Sequence, residues 1–227
     1  MTLPILYEDA EALVIDKPAG LPLDPPRSGG VSLVNHLEAL KLGFQRPAVP
    51  VHRLDRDTSG CLLLARNPKA LKRFAAAFES RTVGKLYLGI VAGEPAGEEG
   101  TIALALSKIS SKRDCWRMIA ARKGKPAVTH WRKLETRAGF SLIAFRPETG
   151  RTHQIRVHAA AGLGLPLLGD PVYGDSQSGR GRNAVRTMLH AARLTVPRVG
   201  KPPIEAHAPL PADFRQLGFG GPGAGDG

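Results

Sequence analysis

Apolar and polar positions change period several times along the chain. Two short apolar runs, residues 5–7 and 12–16, flank a polar turn and predict a strand pair. GCLLLA (residues 60–65) is apolar throughout, as expected of a strand buried on both faces. GKLYLGIVAG (84–93) alternates, and Gly93 and Pro95 stop it. Residues 101–107, 115–121, 127–135 and 140–147 follow as four strand candidates at short intervals, and 188–197 reads as a late buried strand. Strands so closely spaced predict a largely antiparallel sheet.

Helical spacing occurs in fewer places. Ser32 can cap a helix over residues 33–42, with Leu33, His36, Leu37 and Leu40 on one face. Pro68 opens a second helix running to residue 80, with Leu71, Phe74, Ala75 and Phe78 on one side. Residues 151–163 have helical composition, and Arg156 and Thr152, four apart, would share a face. Residues 17–30 and 166–174 are rich in Pro and Gly and read as loops. The pattern predicts an α+β fold. One domain is expected over residues 1–217, with 218–227, GFGGPGAGDG, as a flexible tail too poor in apolar surface to repay ordering.

Charge narrows the class of partner. With 32 Lys+Arg against 20 Asp+Glu the formal net charge is +12, which suits a polyanion such as nucleic acid; a solvated basic surface gives the same sum. No apolar run reaches eighteen residues and the N-terminus lacks a secretion signal, so a soluble, cytoplasmic protein without membrane contact is expected. Cys61 and Cys115 form no CxxC pair, which argues against a disulfide framework or a cysteine-rich zinc site; Cys61, before three leucines, reads as core.

Two stretches concentrate chemistry. VHRLDRDTSGCLLLAR (51–66) sets Asp55 among arginines, ahead of the turn formers Asp57, Thr58, Ser59 and Gly60, so Asp55 should sit at the lip of a loop. There it can meet a substrate, or merely pair with Arg53 or Arg56. ETGRTHQIRVH (148–158) gathers Arg151, His153, Gln154, Arg156 and His158. The two histidines, His153 and His158, are five positions apart and no glutamate lies between them, so a zincin-like metal site is not indicated. HRLD has the wrong spacing for a kinase catalytic loop, and no kinase companion motif accompanies it. Trp116 and Trp131 sit in strand patterns and read as packing residues, and His190 as a hydrogen-bonded structural residue.

Taken together and in order, IDKPAGLP, HRLDRDTSGCLLLAR, KLYLGIVAG, PETGRTHQIRVH and PLLGDPVYG resemble the RluA-type pseudouridine synthases, over residues 5 to about 212. The resemblance implies a mixed, mainly antiparallel central sheet with peripheral helices and a cleft. It implies isomerisation of uridine in ribosomal or transfer RNA by a monomer without metal or organic cofactor. Residue by residue, it makes Asp55 the nucleophile, puts Tyr87 against the uracil and pairs Arg156 with Asp55. Arg53 matches an arginine that helps extrude the base; His52, Arg56, Thr58, Gly60, Gly150, Arg151, His153 and Gln154 would bind RNA or shape the site.

The reaction asks for these residue types. Breaking the N1–C1′ bond and forming C5–C1′ calls for an ionised carboxylate at the sugar, either attacking C1′ or assisting a glycal route by removing a proton, while the detached uracil is held. In a cleft that excludes water that charge is costly, and an arginine about 4 Å away supplies roughly 4 kcal/mol of attraction at an effective dielectric near 20. Tyr87 can stack on a flipped base. Extruding the base calls for phosphate contacts, for which Arg66, Lys69, Lys72, Arg73, Arg81 and Lys85 are candidates. The pattern starts near residue 5 and leaves no room for the S4-type RNA-binding domain that precedes it in many relatives. Two other readings compete: an RNA-binding folding helper without catalysis, and a glycosidase, which would want a second carboxylate.

Overall fold

The computed structural model describes residues 2–26, 28–110, 116–174 and 184–220; Cys115 and the end of the expected tail, 221–227, lie outside them. In chain order the strands are β1 (Ile5–Glu8), β2 (Ala12–Lys17), β3 (Val49–Pro50), β4 (Ser59–Ala65), β5 (Gly84–Ala92), β6 (Glu99–Ala103), β7 (Leu106–Ile109), β8 (Arg117–Ala120), β9 (Val128–Arg137), β10 (Phe140–Pro147), β11 (Leu189–Val196) and β12 (Ile204–His207). The α-helices are α1 (Pro68–Glu79), α2 (Gln154–Val157) and α3 (Ala212–Gln216). The chain divides into two compact units, Met1–Lys85 with His190–Pro209, and Leu86–Leu189 with Leu210–Gly227.

In the first unit β4 is the organising strand, buried at every position as its apolar run predicts. β2 pairs antiparallel along its length. Its start pairs parallel with β11 and its end antiparallel with β3, so the sheet is mixed. β1 and β12 extend it antiparallel from β2 and β11. Gly60 makes the β4–β11 approach possible: its φ is +106°, and a Cβ there would fall onto the Ala191 carbonyl oxygen. α1 starts where expected, with the Asn67 side chain accepting the Ala70 amide at 2.9 Å and Pro68 in its first turn. Phe74 and Ala70 bury against Leu63, Leu194 and Val196, while Ala75, expected on this face, is exposed. Cys61 is a core residue, its thiol pushed up to about 12 by burial.

The expected helix over 33–42 is instead two short 3-10 turns, Leu33–His36 and Ala39–Lys41, ended by Leu42 in the left-handed region. Within them Leu33 and Leu40 are buried, too little apolar surface to hold a longer helix.

The second unit carries the antiparallel order β5-β10-β9-β6, with β7 and β8 forming a separate ribbon. The run 101–107, expected as one strand, divides because β6 pairs with β9 and β7 with β8. Val91, Ile143, Phe145, Ile155 and Leu167 form a core there. The helix expected over 151–163 is shorter: α2 begins at Gln154, and His158–Gly162 widens into a π-turn. Thr152 lies before the helix, so it shares no helical face with Arg156. Phe219, expected in the tail, is 1% exposed.

Candidate active site

Asp55 belongs to the first unit and Tyr87 and Arg156 to the second. Asp55 is half-buried and opens a tight turn, with the Thr58 amide donating to its carbonyl at 3.1 Å. That turn is clamped by the loop after β2. Lys17, 0% exposed, donates its ammonium to the carbonyls of Pro18 (2.8 Å), Leu21 (3.0 Å) and Arg56 (3.0 Å). The Gly20 amide donates to the Arg56 carbonyl and Arg56 Nε to the Gly20 carbonyl. A buried cation satisfied by three carbonyls fixes two loops to each other. The residue next to Asp55 is thereby held in place.

His52 anchors the other side of this segment. Its Nε2 accepts the Leu63 amide at 3.1 Å and its ring stacks on Phe78 at 4.7 Å. Burial, then the nearby Lys85 charge, lower its pKa to about 4, so it is neutral at pH 7. Thr58 is buried, whereas Arg53 and Arg56 are exposed. Ser59 and His190 meet at 2.9 Å; the His190 Nε2 faces the Ala208 carbonyl, so Nδ1 accepts the serine proton. This is the structural position expected for His190.

In the second unit Arg156 is 7% exposed and held in a two-pronged pair: Nε donates to Asp170 Oδ2 at 2.7 Å and Nη2 to Oδ1 at 2.8 Å. Asp170 Oδ1 also accepts the amides of Val172 and Tyr173, closing the GDPVYG turn. Burial pushes the Asp170 carboxyl up, but the Arg156 hydrogen bonds and charge and the two amides hold it below the usual range. These contacts engage two of the five guanidinium N–H donors, and the charge of an arginine is permanent. Asp170 was legible only as part of a turn.

Gln154 is buried and spanned on all sides. Its Nε2 donates to Val128 O and Thr129 Oγ1, and its Oε1 accepts from Thr149 Oγ1 and the Arg151 amide. His158, facing Thr129 and the Leu104 carbonyl, is equally enclosed. Arg151 Nε donates to the Pro126 carbonyl. His153 takes the left-handed conformation, φ 53°, as the residue before α2. Tyr87 lies half-buried on β5 opposite Phe145 of β10, packed against the core around Val91 and Ile143.

Two readings need correction. Arg66 is no surface contact: its side chain is 1% exposed, paired with Glu8 at 2.5 Å and lying over the Phe44 ring. Arg73 is engaged by Glu11, whereas Lys69, Lys72 and Arg81 are exposed. Trp131 packs against a core, but Trp116 precedes β8 and is 44% exposed.

A mixed sheet with few helices gives the α+β class that the sequence pattern predicts. Residues 11–161 match the RNA pseudouridylate synthase family model, and the chain belongs to that family. It is 57% identical to an uncharacterized RNA pseudouridine synthase of Zymomonas mobilis, over 95% of this chain and 97% of that one. It is 38% identical to ribosomal large subunit pseudouridine synthase D of the same organism, over 95% of this chain and 71% of the relative. Human RNA pseudouridylate synthase domain containing 1 has a similar structure, with a TM-score of 0.78, 32% identity and coverage of 92% of this chain and 84% of that one. The chain is therefore an isomerase of the class that converts uridine to pseudouridine in RNA.

Proposed function

We propose that this enzyme isomerises particular uridines of ribosomal or transfer RNA, with Asp55 as the nucleophile, Tyr87 against the uracil and Arg156 as the permanent cation serving Asp55. The clamped turn carries the reading: Lys17 and Gly20 fix the peptide next to Asp55, as a carboxylate requires if it is to meet one sugar carbon. A carboxylate oxygen attacks C1′ and the N1–C1′ electrons leave with the uracil. After the base turns, C5 bonds to C1′, the carboxylate departs, and the C5 proton is lost as N1 gains one. Exposed Arg53 is positioned in sequence to enter the RNA stack, and the charge of +12 favours phosphate contacts.

The relative named for the ribosomal large subunit favours ribosomal RNA as substrate. A cytoplasmic monomer working without cofactor completes the reading. Incubating purified protein with cellular RNA and mapping pseudouridine tests it. New pseudouridine at defined uridines is expected; RNA binding without modification would favour a folding helper, and free uracil a glycosidase.

A further inference from the structure

Trp116 is the exposed end of an aromatic series that leads inward to Arg156. Its indole stacks on the His153 ring, centroids 5.1 Å apart at 28°. His153 meets Tyr173 edge-on at 5.7 Å, and its Nδ1 lies 2.9 Å from the Tyr173 hydroxyl. That hydroxyl accepts the Met118 amide at 3.0 Å, tying the β7–β8 ribbon to the GDPVYG turn. The Arg156 guanidinium lies 5.1 Å from the Tyr173 ring. His153 keeps an unfavourable backbone conformation, φ 53°, within this stack.

Packing alone accounts poorly for the outermost ring. Trp116 is 44% exposed, so its indole forgoes close to half of the gain that full burial would give. Exposed Lys108 places its ammonium 5.1 Å from the indole centroid. A flat aromatic face with an exposed lysine ammonium over it matches a nucleotide, the base replacing the ammonium on the ring and the phosphate meeting it.

We propose that Trp116 is a stacking platform for an unpaired nucleobase of the bound RNA, with Lys108 taking the attached phosphate. This rests on the RNA-modifying reading above, and it adds a positioning residue outside the motifs that mark the family. The base slides onto the indole as the flexible lysine shifts toward the backbone. His153 and Tyr173 hold the platform at a fixed orientation through side chains already locked by contacts.

Fluorescence anisotropy with a labelled single-stranded oligouridylate, and with an abasic ribose-phosphate strand of equal length, tests the platform. Trp116→Ala should weaken the base-bearing strand about tenfold and leave the abasic strand unchanged, because stacking needs a base. Trp116→Leu, which still covers His153 but has no π-face, should lose as much, and Trp116→Phe should recover most of the affinity. The dependence of log Kd on log salt should be the same for all of these variants, since no phosphate contact is removed. Equal losses on both strands, or Trp116→Ala binding oligouridylate as wild type does, would overturn the platform. Pseudouridine mapping with the wild-type enzyme is a separate arm: no product there sinks the catalytic reading, while the binding comparison still decides the platform.

Discussion

Asp170 grips Arg156 with both carboxylate oxygens, at 2.7 and 2.8 Å, and neither side chain is more than 9% exposed. A guanidinium this deep carries a large desolvation cost, and Asp170 offsets it while the Val172 and Tyr173 amides hold the acid itself. Asp170→Asn keeps the size and one acceptor but removes the charge. It should lower unfolding free energy by about 3 kcal/mol or more, measured in urea, because the buried cation loses this two-pronged ion pair. A loss below about 1 kcal/mol would show that other groups carry Arg156.

Lys17→Met retains the buried stem and deletes the ammonium that three carbonyls share. The Pro18 and Leu21 carbonyls lose this donor while the Arg56 carbonyl keeps the Gly20 amide; at about 1–3 kcal/mol for each carbonyl left unmet, a loss of at least about 2 kcal/mol is expected in denaturant titration. Since the Arg56 carbonyl is one of the three, turnover should fall further than folding accounts for. Pseudouridine yield per folded molecule measures that difference.

Much of this was legible in the chain. The unbroken apolar run of β4 and the Pro68 start of α1 rest on burial and on capping, which act locally, and both appear as expected. Helix lengths near residues 33 and 151 were overestimated, because apolar spacing describes a face but not whether anything packs against it. Leu37 is only half-buried, and His153 leaves the helical region altogether. Asp170 and Lys17 escaped attention, and Trp116 was read as a packing residue, for a different reason. Their meaning lies in partners distant in sequence, Arg156, Arg56 and His153, and no local pattern announces a partner.

Gly60→Ala puts a methyl group onto the Ala191 carbonyl oxygen at a φ of +106°. Backbone atoms cannot yield as a side chain can, so β4 and β11 must part at the start of their parallel pairing. A loss of about 3 kcal/mol or insoluble expression is expected, against a near-neutral result if the strands tolerate the shift.

His52 makes stability depend on pH. In the unfolded chain an imidazole takes its proton near pH 6.5, but in the fold only near 4. Between those values the unfolded chain binds more protons, so stability falls as pH drops from 6.5 to 4, by about 3 kcal/mol in full. Above pH 6.5 the contribution is flat. His52→Gln, whose side-chain oxygen can still accept the Leu63 amide, should show a shallower decline over this window; identical slopes in urea unfolding at pH 7 and pH 5 would count against a buried neutral ring.

The central claim is that the carboxylate at position 55 carries out the chemistry, and Asp55→Asn tests it most directly. Wild type and variant are given the same cellular RNA, and pseudouridine and RNA affinity are measured side by side. The account predicts that new pseudouridine disappears while binding stays within a few-fold of wild type, about as the removal of a nucleophile without a fold change requires. Pseudouridine formation by Asp55→Asn at a rate within about tenfold of wild type would contradict it.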